Sequence, residues 1–81
     1  MARYYFHLRD GRDETLDLEG GEFRDMDAVR EAVLVGARDL IAGDAQQGVI
    51  DFRFRVEAEN EAGEIVYSLP FKQAVRVIAG T

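Results

Sequence analysis

Residues 25–47 read DMDAVREAVLVGARDLIAGDAQQ, and the reading of this stretch decides the fold. Met26, Val29, Val33, Gly36, Ala37, Leu40 and Ile41 recur at three- and four-residue spacing, which puts them on one stripe of an α-helix. Asp25, a short acceptor ahead of the first apolar residue, is predicted to cap a free N–H of the first turn. Asp27 and Glu31 follow near the positive end of the helix dipole, where carboxylates are favoured. Gly36 costs about 1 kcal/mol against alanine in a helix interior, so its place in the stripe predicts close approach of a neighbouring strand or side chain. Gly43 is predicted to fray the last turn. Val35 falls on the opposite side, among Glu31, Arg38 and Asp39.

On either side of the helix the period changes to two. Arg3 to Arg9 (RYYFHLR) sends Tyr4, Phe6 and Leu8 one way and Tyr5, His7 and Arg9 the other, the pattern of a half-buried strand. Asp10-Gly11 supplies a turn, and a second strand is predicted over Glu14 to Leu18 with Leu16 and Leu18 inward. Gly20-Gly21 ends it, and Phe23 is placed to act as a hydrophobic staple at the helix start. A third strand is predicted over Asp51 to Glu59 (DFRFRVEAE), with Phe52, Phe54, Val56 and Ala58 inward. Asn60 to Gly63 forms the hairpin loop, with Gly63 left-handed. A fourth strand from Glu64 to Leu69 turns Ile65, Tyr67 and Leu69 inward and stops at Pro70. Phe71 to Ile78 fits either a short closing helix or an extended strand, and 72–81 reads as a tail.

Two hairpins joined by one right-handed crossover leave a slot for the first strand between the second and third. The predicted fold is α+β: a two-layer β-β-α-β-β sandwich, sheet order 2-1-3-4, with the helix on one face and nothing in the chain over the other. Eighty-one residues make one small domain, 1–81. The chain has no cysteine to form a disulfide or thiolate metal site, and its start does not resemble a signal peptide. No apolar run approaches the roughly 20 residues of a membrane span. A cytoplasmic protein without membrane contact is expected.

Sixteen acidic residues against ten basic ones give a net charge of −6, which disfavours nucleic acid. The one histidine, His7, and the one serine, Ser68, both fall on the outward sheet face, which makes them a nucleophile–base pair worth testing. The predicted sheet order separates them by two strand spacings, about 9.6 Å, against the roughly 3 Å that catalysis needs. Catalytic, cofactor-binding and metal-ligating residues are therefore predicted to be none. The eight carboxylates between Asp10 and Asp27 lack the D-x-[DN]-x-[DN]-G register of a calcium loop, which leaves a looser cation site open. On the outer face Tyr5 and His7 are expected beside Arg53 and Arg55. That arrangement suits either base stacking or cation–π packing. Val35, Val66, Val75, Val77 and Ile78 are apolar groups in need of cover. The reading is a non-enzymatic protein-interaction domain, homodimeric or bound to another protein, with Tyr5, His7, Arg53, Arg55 and Val66 as its interaction face. The alternative is an antitoxin-like or regulatory binder of a protein or RNA.

The opening Arg3-Tyr4-Tyr5-Phe6-His7-Leu8-Arg9-Asp10-Gly11 is the most specific stretch of the chain. Together with Asp17-Leu18-Glu19-Gly20, Glu61-Ala62-Gly63 and Leu69-Pro70-Phe71, it resembles a family of short bacterial proteins, mostly from rhizobia and related alphaproteobacteria, built on a domain of unknown function. The resemblance implies no catalytic residues to carry over. A second likeness is to the N-terminal domain of HicB-type antitoxins, which also place strands before a helix that follows an acidic, glycine-containing loop. Here a full hairpin follows the helix, and no DNA-binding segment is appended.

Overall fold

The computed structural model describes residues 1–80. In chain order the elements are β1 (Ala2–Arg9), β2 (Glu14–Thr15), β3 (Gly21–Phe23), α1 (Met26–Gln46), β4 (Arg55–Asn60), β5 (Ile65–Pro70) and α2 (Phe71–Ala74). All strands are antiparallel, in the order β2-β1-β4-β5, with β3 on the same edge of β1 as β2. This is the predicted α+β sandwich and strand order, with one long helix packed on the sheet. The predicted second strand, Glu14 to Leu18, is however cut to Glu14–Thr15, and β3 is a further strand that the periodicity did not predict.

The helix begins where the sequence places it. The Asp25 carboxylate accepts the Ala28 N–H at 2.8 Å. Val29, Val33, Ala37 and Ile41, four residues apart, are its buried row, and they meet Val56, Ala58, Leu69, Phe71 and Ala74 in the core. Gly43 does not fray the end. The helix continues to Gln46, and Gly48, at a φ of +90°, turns the chain away. Gly36 also departs from expectation, because a Cβ there would meet nothing within 4 Å. No neighbour presses on it; it borders an open gap between α1 and β1.

Three strand predictions need correction. Leu16 and Leu18 are not an inward pair: the chain leaves the sheet after Thr15, and both are exposed. The third strand starts at Arg55 rather than Asp51, because the Asp51 carboxylate accepts the Arg53 N–H at 2.9 Å and holds the chain in a turn. Phe52 is consequently exposed, while Phe54 reaches Phe71 with ring centroids 6.0 Å apart. The β4–β5 register slips between Ala58 and Glu59 of β4, so that Val66 of β5 is the extra residue of a β-bulge, and Ile65, predicted inward, is exposed.

Phe23 is more than a staple. It lies in β3, stacked on Phe6 at 5.2 Å and edge-on to Tyr4 at 6.1 Å. Asn60 and Gly63 close the hairpin as predicted, with Gly63 at a φ of +82° and its N–H donating to the Asn60 carbonyl. The ambiguous segment resolves into one helical turn, 71–74, that pushes Phe71 and Ala74 into the core, followed by irregular chain from Val75; Thr81 lies outside the described residues.

The two corrected views of packing give opposite mutational outcomes. Phe71→Ala is expected to cost about 3–5 kcal/mol, whereas Gly36→Ala, which adds a Cβ into open space, is expected to stabilise by up to about 1 kcal/mol. Urea unfolding of the two variants beside the parent chain checks both signs.

Candidate functional site: the strapped face of the sheet

β1 presents alternate N–H groups to its outer edge, and that edge is only partly paired. Leu8 stands opposite Thr15 of β2, and Tyr4 stands opposite Gly21 of β3. Phe6, between them, has no strand partner on that side. A buried N–H without an acceptor costs free energy. Asp17 supplies the acceptor: its Oδ2 takes the Phe6 N–H at 3.0 Å. The other oxygen, Oδ1, accepts the N–H groups of Glu19 (3.3 Å) and Gly20 (3.0 Å), closing an Asx-type turn. The segment 16–20 thereby becomes a strap lying over the outer face of β1.

The strap is fastened at two further points. The Asp17 N–H donates to Nδ1 of His7 at 3.1 Å. Nδ1 is then the acceptor nitrogen, and the proton of the neutral ring sits on Nε2. That nitrogen faces Oε1 of Glu59 at 3.7 Å, longer than a direct hydrogen bond. At the other end Gly20 has a φ of +69°, and a Cβ there would lie 2.7 Å from both the Tyr4 carbonyl oxygen and the Tyr5 ring. Glycine is required at that point of close approach. His7 is consequently only 6% exposed, not the solvent-facing histidine that the alternation predicts. The expectation that nothing in the chain covers this face is overturned by the same strap.

With its polar residue turned inward, the strap holds its apolar ones outward. Leu16 is 45% exposed and Leu18 84%. Together with Tyr5, His7, Arg9 and Glu59 they border an open cleft of about 400 Å³.

Beside this cleft runs a row of charge. Glu57 of β4 is shared by two guanidinium groups, Arg9 Nη1 at 2.7 Å and Arg55 Nε at 3.1 Å, and Arg9 Nε also holds Glu14 at 2.9 Å. The row ties β2, β1 and β4 together across the outer face. Burial pushes the Glu57 carboxyl up, but the hydrogen bonds from Arg9 and Arg55 outweigh it and hold the group below its ordinary value. Asp17 behaves likewise. Burial raises it, the N–H groups of Gly20, Phe6 and Glu19 lower it, and the net shift is downward.

Of the residues singled out in the sequence, Tyr5 and His7 come together under the strap. Arg55 shares the face but is opposite Arg9 and committed to Glu57. Val66 is displaced to the bulge on β5. Arg53 is not on the sheet; it is exposed in the turn before β4, where its guanidinium binds Asp51 and holds that carboxyl down to about 2. His7 and Ser68 both stand opposite Glu57, on different strands, so the predicted separation of about 9.6 Å stands. Asp10, Asp17 and Asp25 spend their carboxylates on backbone N–H groups, and among the described residues no three His, Asp or Glu side chains converge on a metal position. The sequence reading missed Asp17, Leu16, Leu18 and Glu59. A signal for the first was present, since Asp17 followed at three residues by Gly20 is a side-chain-to-backbone turn pattern.

Fold and site define a small α+β domain with a helix on one sheet face and a tethered strap on the other. The chain belongs to the family described as "Domain of unknown function (DUF6894)", whose profile matches residues 3–72. No curated protein and no solved structure matches it. Among the described residues no helix is long and apolar enough to cross a membrane.

Asp17 and Glu57 both titrate lower in the folded chain than their ordinary values of 3.8 and 4.5. Their contribution to stability is complete above those values and is lost as pH falls through the lower folded ones. Thermal unfolding from about pH 2.5 to 7 should therefore show stability falling below about pH 4.5. Asp17→Asn should lower the plateau and flatten part of that decline.

Proposed function

We propose that this domain is a non-enzymatic protein-interaction module and that its partner docks on the strapped face of the sheet. The observation that carries the reading is the inverted polarity of the strap. A half-buried loop ordinarily turns leucine in and aspartate out. Here Asp17 is held inward by hydrogen bonds, and Leu16 and Leu18 are held outward on either side of it. Burying a leucine side chain is worth about 1.5–3 kcal/mol, and a partner that covers the pair recovers it. Tyr5 beside them adds an amphipathic ring of the kind enriched in interface cores, and Arg9 and Glu59 supply a charged rim.

A binding role, rather than a catalytic one, is also supported by the state of the polar groups. His7 is buried with Nδ1 occupied, and Ser68 lies two strands away. The antitoxin-like reading with an RNA partner has less support, because Arg9 and Arg55 are neutralised by Glu57 and Arg53 by Asp51.

The test compares the parent chain with Leu16→Ser/Leu18→Ser as baits in a lysate of the source organism. Both residues are exposed, so the variant is expected to unfold within about 0.5 kcal/mol of the parent. The parent should retain a stoichiometric protein that the variant does not. Retention of the same protein by both, or by neither, contradicts the reading.

A further inference from the structure

The opposite face of β1 carries a gap of different character. Phe6, Leu8, Val33, Gly36, Leu40 and Val56, with His7 and Asp39 as its polar residues, line a mostly apolar groove of about 260 Å³ between the helix and β1. The missing side chain of Gly36 keeps it open. The chain also carries an apolar segment with nothing to cover it. After α2, Val77 is 72% exposed and Ile78 77%, and the radius of gyration, 13.3 Å, exceeds the roughly 12 Å of a compact chain of this length.

The segment cannot fill its own groove. The Arg38 guanidinium donates to the Ala74 carbonyl at 2.8 Å and fixes the base of the tail against α1. At 100° per residue, Gly36 and Leu40 of the groove lie 160° and 200° from Arg38 around the exposed side of α1, on average half a turn. The tail thus starts on one flank and the groove opens on the other. Residues 75–78 reach at most about 14 Å, whereas half the circumference of a helix 10–12 Å wide is about 16–19 Å.

We propose that the groove takes residues 75–78 of a second copy, so that two chains close a homodimer by reciprocal exchange of their tails. Val77 and Ile78 of each chain enter the other's groove. Arg76, which makes no ion pair among the described residues, meets Asp39, which also has none. The exchange is isologous and leaves no open end, as a two-fold dimer requires. His7 lines both this groove and the strapped cleft, but the exchange uses none of Leu16, Leu18 or Tyr5 and stands or falls independently of docking there.

Light scattering and sedimentation equilibrium of the full chain, from about 10 µM to 1 mM, test it. The parent should show twice the 9.1 kDa monomer mass. Gly36→Leu, which fills the groove, and Val77→Asp/Ile78→Asp, which spoils the tail, should each raise the dissociation constant at least tenfold. Asp39→Arg and Arg76→Asp should each weaken the dimer, and their combination should restore it. Leu16→Ser/Leu18→Ser should leave it unchanged. A parent that stays monomeric throughout, or a dimer indifferent to the groove and tail variants, overturns the proposal. If Gly36→Leu does not fold, the tail variant and the charge exchange decide it. A dimer lost only in the Leu16/Leu18 variant rejects tail exchange and leaves the strapped face as the contact.

Discussion

One aspartate carboxylate filling a vacancy in a strand ladder is the interaction on which the outer half of this protein depends. β1 lies inside the sheet, yet along one edge its partner strand is broken between Thr15 and Gly21, leaving the Phe6 N–H to be satisfied. Asp17 does this with one oxygen and shapes its own turn with the other. Everything above that face follows from the tether: the burial of His7, the tautomer that its Nδ1 contact selects, the tight passage at Gly20 and the outward aim of Leu16 and Leu18.

The two layers are held by different physics. Beneath the sheet, the row Val29-Val33-Ala37-Ile41 and the plug of Phe71 and Ala74 make a small apolar core. Above it, hydrogen bonds and the Glu57–arginine row do the fastening, and the apolar groups are on the outside. This division explains why the helix side looks like an ordinary interior while the strap side leaves Leu16 and Leu18 exposed.

How much of this was legible in the sequence depended on whether periodicity or local hydrogen bonding ruled each segment. The helix, its Asp25 cap, the four-strand order and the Gly63 hairpin follow from periods of 3.6 and two with turn chemistry, and each is present. Residues 14–18 and 51–54 also alternate, yet in both an aspartate captures nearby backbone N–H groups and takes the chain out of the ladder. Alternation reports which residues could share a face; it cannot report that a side chain has replaced the strand. The candidate site was half visible for the same reason. Tyr5 and His7 were found from β1, while Leu16 and Leu18 were assigned to the core and Arg53 to a strand that begins two residues later.

Amide hydrogen exchange at Phe6 tests the tether most directly. The account predicts that the Phe6 N–H, although it faces a gap in the ladder, exchanges at least about 100-fold more slowly than in an unstructured peptide. Exchange of Phe6 at the free-peptide rate, while Tyr4 and Leu8 remain protected by their strand partners, would contradict it.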